Sequence, residues 1–399
     1  LDPGRAEALV HRGLAHLRLG QRAEAVRDLE RAVALAPESA AARSNLGAAR
    51  RELGDRQGAL IDLEVAVRLD PTNTLARVNR GLLRLEQGDA AGAIDDLTCA
   101  LEREPDLAAA WLHRSLARRA AGDLEGALAD ARRAVTLGPG EARAWTARAL
   151  ARGDLGDLAG ALADCDRAVD LAPDDAAVRH DRGLVRGDLG DLAGALEDLT
   201  RAVALDPASA LAHVTRGQAR LALGDLAGAA DDHDRALELD PRLVPAHLGR
   251  GRARLALGDL RGALADLGRA VDLAPRDAEV LAERGAARRA SGDVQGAVAD
   301  LDRALELAPA MAEAWHERGH AREALGDLRG ALADHDRALA LAPDHAEILA
   351  CRADARARLG DVPGALADLE RSLALVPDAP AAASRRAQAA ALRAALARR

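Results

Sequence analysis

The stretch His316-Glu317-Arg318-Gly319-His320 carries residue types at a spacing that could do chemistry. Two histidines at i and i+4 share one face of a helix, where both imidazoles can reach a single zinc ion, and a glutamate between them can act as a base. Such a centre needs a third ligand. None adjoins the pair in sequence, and the carboxylates placed to reach it from neighbouring stretches are Glu283 and Glu347. Cys99, Cys165 and Cys351 are too far apart for a metal-binding spacing, and their odd number suits reduced thiols in a cytoplasmic setting. His233 and His335 are each flanked by aspartates, but successive helical residues point apart, so these read as structural or solvent-facing histidines. Ser/His/Asp sets, Cys/His pairs and Gly-rich phosphate loops are not recognisable. The Arg-Gly at the centre of the histidine stretch recurs elsewhere in the chain. The expectation is therefore a protein that is not an enzyme, with no cofactor and no metal. Zinc binding or a metallopeptidase site at His316 to His320 is the alternative.

The frame that must position these residues is a repeat. Pro3, Pro37, Pro71, Pro105, Pro139, Pro173, Pro207, Pro241, Pro275, Pro309, Pro343 and Pro377 recur every 34 residues, and a fixed period of that size means a stacked array. Within the first unit, residues 6–39, Ala8, Leu9, Ala15 and Leu19 show helical spacing up to Gly20. Gly occupies that slot in all eleven units, as a left-handed helix end requires. Asp follows it in ten units and can cap the second helix. Ala25, Val26, Leu29, Ala32, Val33 and Leu35 form the stripe of that helix, and Pro37 blocks its continuation. Ser39, Asn73, Asp175, Ser209 and Asp277 are placed to cap the next first helix. Pro245 and Pro363 fall in first helical turns, where no backbone donor is lost. The Gly13 slot is Gly in eight units and Ser115, Ala149 or Ala353 in the rest, while the Ala25 slot is always Ala. Small residues facing each other let the helices close up.

This pattern resembles the tetratricopeptide repeat family over residues 6–379. The resemblance rests on the 34-residue period, the small Gly13, Ala25 and Ala32 slots, the Pro37 slot, and Trp111, Trp145 and Trp315 in the family's Trp position. It implies an all-α fold, a right-handed α-solenoid of antiparallel helix pairs whose first helices line a concave groove that binds a peptide or partner helix. The family's large aromatic positions are not kept. They hold His16 or Arg in the first helix and Leu29, Ala131, Cys165, His233 or His335 in the second, which predicts thinner packing. Some members clamp a C-terminal carboxylate with Lys and Asn. Asn45 and Asn79 stand in one of those slots, but the chain has no Lys, so that clamp is not expected.

Two further patterns follow the period. The Arg12 slot is Arg in ten units and the Asp28 slot is Asp in all eleven, which predicts an Arg–Asp pair inside each hairpin, such as Arg250–Asp266 and Arg318–Asp334. The alternative is a solvated charge face. Other first-helix slots vary from unit to unit, as a binding surface should. They place Asn45, Asn79, Leu82, Leu112, His113, Leu116, His180, Leu184, Leu248, Arg252, Glu283, Arg289, His316, Glu317 and His320 along the groove. Its middle is apolar and its last third is acidic, with Glu279, Glu283, Glu313, Glu317, Glu323 and Glu347. A binder should leave Leu82, Leu116, Leu184 or Leu248 substantially exposed. The alternative is that these leucines are core between units.

Composition bounds the rest. A chain of 399 residues exceeds the roughly 250–300 at which single cores stop growing, whereas an array has no such limit. A net charge of −9 argues against nucleic acid, and no apolar run suits a membrane. Tyr, Phe and Lys are absent, a bias that points to a GC-rich bacterial genome. The units are 6–39, 40–73, 74–107, 108–141, 142–175, 176–209, 210–243, 244–277, 278–311, 312–345 and 346–379. Residues 1–5 match the end of a preceding unit, and 380–399 read as an Ala-rich capping helix with Arg393, Arg398 and Arg399 near its end. The expected role is a non-catalytic, cytoplasmic scaffold for a protein or peptide ligand, the recognition arm of a larger protein. A structural spacer or an array that self-associates end to end is the second reading.

Overall fold

A computed structural model describes residues 5–378 and 380–397 of the chain. The helices fall in two compact units, Leu1–Asp206 and Pro207–Arg399. The first holds α1 (Ala6–Arg18), α2 (Arg22–Leu35), α3 (Ala40–Leu53), α4 (Arg56–Leu69), α5 (Thr74–Glu86), α6 (Ala90–Arg103), α7 (Ala108–Ala120), α8 (Leu124–Leu137), α9 (Ala142–Asp154), α10 (Leu158–Leu171), α11 (Ala176–Asp188) and α12 (Leu192–Leu205). The second holds α13 (Ala210–Ala222), α14 (Leu226–Leu239), α15 (Val244–Ala256), α16 (Leu260–Leu273), α17 (Ala278–Ala290), α18 (Val294–Leu307), α19 (Ala312–Ala324), α20 (Leu328–Leu341), α21 (Ala346–Arg358), α22 (Val362–Leu375) and α23 (Ala382–Leu396). No strand occurs among the described residues. The fold is an all-α solenoid of antiparallel helix pairs.

Each hairpin turns where the period places Gly. Gly20 and its ten equivalents all have positive φ, between 73° and 93°. In ten repeats the following Asp caps the second helix, as Asp259 does by accepting from the Gly262 amide at 2.9 Å. The caps predicted at Ser39, Asn73, Asp175, Ser209 and Asp277 all form. Pro245 and Pro363 lie in first turns as expected. Helix α23 packs Ala389 against Ala353, Ala365 and Leu369, and Arg393 pairs with Glu370 at 2.8 Å. Arg398 and Arg399, together with residues 1–4 and 379, lie outside the described residues.

The predicted Arg–Asp pair is present in ten hairpins, and it is more than a pair. Nine of these contacts measure 2.5–2.7 Å, from Arg12–Asp28 to Arg352–Asp368. Arg250 likewise holds Asp266. A second arginine, one turn on, grips the same carboxylate in ten repeats at 2.6–3.1 Å, from Arg50 and Arg84 to Arg356. Asp198 and Asp334, for example, leave 1% and 2% of their side chains exposed, so the solvated-face alternative fails. Burial pushes the Asp198 carboxyl up, but hydrogen bonds from Arg182 and Arg179 outweigh it and bring the group below the ordinary carboxylate range. The second repeat shows the converse. Leu46 replaces the first arginine there, only Arg43 and Arg50 reach Asp62, and burial wins, raising that carboxyl. In several repeats the first arginine also reaches the preceding hairpin. Arg182 reaches Asp166 at 3.0 Å, and Arg318 reaches Asp302 at 2.5 Å.

The apolar core is built mostly from Ala and Leu. A Cβ on Gly251 would fall 2.8 Å from Leu267, so Gly is what lets this leucine seat. Where the facing residue shrinks, as at Ala131 and Cys165, the Gly slot grows to Ser115 and Ala149. His233 takes the leucine position in the seventh repeat. It is fully buried against Gly217 and Gly249, and neither ring nitrogen has a hydrogen-bond partner. Burial lowers it to about 4, assisted by Arg250 and opposed by Asp232, Asp234 and Asp266.

Two expectations follow. Asp266→Ala leaves the Arg250 and Arg254 guanidiniums facing an empty, largely buried position, and chemical unfolding should show a loss of about 3 kcal/mol. His233 is neutral when folded, so protonation favours the unfolded chain between its ordinary pKa of about 6.5 and the folded value of about 4. Its contribution is complete above pH 6.5 and falls by roughly 3 kcal/mol as pH drops to 4. His233→Leu should flatten the chain's stability profile across that window and raise stability throughout it.

Candidate functional site

First helices of five successive repeats build a depression in the unit Leu1–Asp206. Residues of α3, α5, α7, α9 and α11 enclose about 520 Å³. Leu82, Leu112, Leu116, Leu150 and Val178 form its apolar floor, and Arg51, Glu52, Glu86, Arg143 and Asp181 form a rim of both signs. Arg51 and Glu86 pair across repeats at 3.2 Å. His113 also lines the depression, and burial lowers it to about 4 with help from Arg51 and Arg143, so the imidazole is neutral. Of the leucines expected to be substantially exposed, Leu82, Leu116 and Leu184 are half-buried and Leu248 is buried. Leu248 packs with Val271, Val280 and Leu281 and belongs to the core between repeats. Leu112 is buried in the same way among Val135 and Ala144 while contributing to the floor. Asn45, Asn79 and Leu184 are half-buried outside the lining, and His180 lies 3.6 Å from Asp181.

The acidic stretch lies in the unit Pro207–Arg399 and is largely paired. A second depression, about 490 Å³, is lined by Arg252, Glu279, Glu283, Glu313 and Glu317 around small residues and Met311. Arg252 holds Glu279 and Glu283 at 2.7 Å each, and Arg289 holds Glu317 at 2.9 Å. Glu323, read from sequence as part of this acidic face, turns inward instead.

Glu323 meets a cluster of imidazoles. His316 and His320 on α19 place their Nε2 atoms 3.2 Å apart. Cys351 Sγ on α21 comes to 3.6 Å from His320 Nε2, and His335 Nδ1 on α20 to 3.4 Å from His316 Nδ1. Glu323 lies 3.6 Å from both His320 Nδ1 and His335 Nε2. His335 is fully buried, and neither its Nε2 nor Glu323 Oε1 has a hydrogen-bond partner. Burial and the surrounding His320, His335, His345 and Arg289 lower His316 to about 3. Cys351, then Glu323, raise His320 to about 10 against burial. Burial resists ionisation of Glu323, but His320 and His335 bring it down to about 2.

Two family profiles described as tetratricopeptide repeat match the chain, one over residues 157–220 and the other over 11–74, 78–142, 127–176, 248–312 and 316–380. The chain belongs to the tetratricopeptide repeat family. Among solved structures, it resembles the APC/C hetero-tetramer Cut9-Hcn1, with a TM-score of 0.58 and 18% identity over 97% of this chain and 90% of that one. Yeast Tom70 aligns over 98% of this chain and 96% of its own at 17% identity, with a TM-score of 0.48. YrrB, described as a tetratricopeptide repeat protein with an unusual peptide-binding site, covers 46% of this chain and 95% of its own at 23% identity, with a TM-score of 0.38. None of the curated proteins matches the sequence. The likeness to the Cut9-Hcn1 structure bears on fold alone. No helix among the described residues is long and apolar enough to cross a membrane.

Tetratricopeptide repeat positions explain what was legible here. The Trp position asks for an N–H donor as much as for bulk. Trp111, Trp145 and Trp315 donate to the carbonyls of Pro105, Pro139 and Pro309 at 2.7–3.0 Å, and Arg77 and Arg179 do the same to Pro71 and Pro173. The three tryptophans also lie under Arg114, Arg148 and Arg318 at 4.6–4.7 Å. The third member of the His316–His320 group was missed in sequence. It is Cys351, one repeat on; neither Glu283, which pairs with Arg252, nor Glu347 belongs to the group. Glu317, the base in the zinc-site reading, pairs with Arg289 and takes no part in the group. The signal for Cys351 was its distance of one period from Glu317, which places it beside His316 on the adjacent first helix. If Leu248 is packing and Leu116 is surface, Leu248→Ala should cost about 3 kcal/mol in chemical unfolding and Leu116→Ala about half that or less.

Proposed function

We propose that this chain is a non-catalytic scaffold that binds a peptide or partner helix, by two or three apolar side chains, in the depression built by α3, α5, α7, α9 and α11. The observation that carries this reading is the apolar floor of Leu82, Leu116 and Leu150 within a rim of mixed charge. The hairpins are held internally by repeated Arg–Asp contacts, so these variable side chains are free to differ. A volume of about 520 Å³ suits a few side chains of an amphipathic segment. Arg143, 68% exposed at its side chain, and Glu52 can pair with charges flanking the apolar anchors. The division into eleven repeats over 6–379 with 380–399 as a cap belongs to the same reading. So does placement as the recognition arm of a larger protein. A spacer would present a uniformly polar face, and this floor disfavours it.

The test is selection from a random peptide library displayed on phage, against the full chain and a Leu116→Glu, Leu150→Glu variant of matched helix content. The reading expects enriched peptides with two or more apolar anchors that bind the variant at least tenfold more weakly. Equal binding by both proteins, or no enrichment, contradicts it.

A further inference from the structure

We infer that His316, His320 and Cys351 form a zinc site that staples the last two tetratricopeptide repeats together. The three donor atoms lie within 4.8 Å of one another and come from α19 and α21, the first helices of adjacent repeats. Zinc bonds nitrogen at about 2.0–2.1 Å and sulfur at about 2.3 Å, so tetrahedral geometry places two nitrogens about 3.3 Å apart and nitrogen and sulfur about 3.6 Å apart. The observed separations are 3.2 Å for the two Nε2 atoms and 3.6 Å for His320 Nε2 to Cys351 Sγ. Two imidazoles and a thiolate are donors that favour zinc over calcium or magnesium. Three protein ligands leave a fourth position to water, and His320 keeps 27% of its side chain exposed.

The neighbours of these ligands supply a second, independent observation. Zinc-binding histidines usually donate their other N–H to a carboxylate or another acceptor, which fixes ring and tautomer. Both rings face such a group here. His320 Nδ1 faces Glu323 Oε2 at 3.6 Å. His316 Nδ1 faces His335 Nδ1 at 3.4 Å, and His335 Nε2 faces Glu323 Oε1 at 3.6 Å. One proton assignment serves all three contacts when both Nε2 lone pairs point to a metal. His316 donates to His335, and His335 and His320 each donate to one oxygen of Glu323. His335 Nε2 and Glu323 Oε1 are buried, face each other at 3.6 Å and have no other hydrogen-bond partner.

Packing alone does not call for these residues. Seven repeats put Leu at the position of His335, and Leu14, Leu82, Leu116, Leu150 and Leu184 occupy the position of His320 elsewhere. A Cβ on Gly319 would fall 2.5 Å from the His335 ring, so the imidazole is seated against bare backbone. The H-E-x-x-H spacing is therefore read for its two histidines only. Glu317 pairs with Arg289 and is not among the donors.

The experiment uses the full chain under reducing conditions, with zinc chloride and then cobalt chloride as the only added metals. The inference expects one zinc per chain retained through gel filtration and a thiolate-to-cobalt charge-transfer band in the near ultraviolet. Cys351→Ala and His320→Ala should abolish stoichiometric retention while keeping wild-type helix content by circular dichroism. His335→Leu, which keeps all three ligands, should weaken zinc by roughly 10–100-fold. Zinc should raise the thermal midpoint of the wild type and leave that of Cys351→Ala unchanged, a readout that remains open if one variant folds poorly. Failure to retain zinc, retention indifferent to Cys351, or a cobalt spectrum without the thiolate band overturns the site.

Discussion

A buried aspartate held by two arginines is the contact on which the rest of this structure depends. It sits between the helices of a hairpin, one guanidinium binding in two-pronged fashion and the other arriving from one turn further along, as Arg284 and Arg288 do at Asp300. Each group alone would be costly to bury. Together they neutralise the carboxylate and fix direction, because Arg geometry accepts few alternatives. The second arginine stands where the family places a large aromatic ring. The chain has neither Phe nor Tyr, and it replaces that contact by charge. Such a clamp need not be more stable than an aromatic pair. It specifies one register of the two helices, and in several repeats it also reaches an aspartate of the preceding hairpin.

With register set in this way, the apolar contacts can stay small and local. Alanine at fixed positions brings the helices close, and in two repeats the residue facing the Gly slot shrinks, to Ala131 and Cys165, where that slot grows to Ser115 and Ala149. First-helix side chains are then released to differ. In the unit Leu1–Asp206 they make an apolar floor, and in the unit Pro207–Arg399 they make paired charges and a knot of imidazoles around Glu323. Variation gathers where the clamp leaves it room.

Most of the fold was legible in the sequence because its signals are local and repeated. The prolines, the left-handed glycines and the Asp caps each state a helix boundary without reference to anything distant. The Arg–Asp pair was legible too, since two residues at similar height across one hairpin must meet. Its second arginine was not, because an Arg in an aromatic position reads as a loss rather than a replacement. The groove was only half legible. Leu112 and Leu248 share one repeat position and are buried between repeats, whereas Leu82, Leu116, Leu150 and Leu184 share another, one turn on, and are half-buried, so the distinction lay in the period and only its meaning was not legible. Cys351 was set aside by counting along the chain, whereas the distance that matters runs across repeats.

The most direct test of this account is a double-mutant cycle at Arg318 and Asp334, with Arg318→Leu, Asp334→Leu and the pair compared by chemical unfolding. The clamp requires a coupling energy of at least about 2 kcal/mol, well above the 0.2–1 kcal/mol of exposed ion pairs. A coupling within that exposed range would contradict it, and the register of the hairpins would then have to come from the alanine and leucine packing alone.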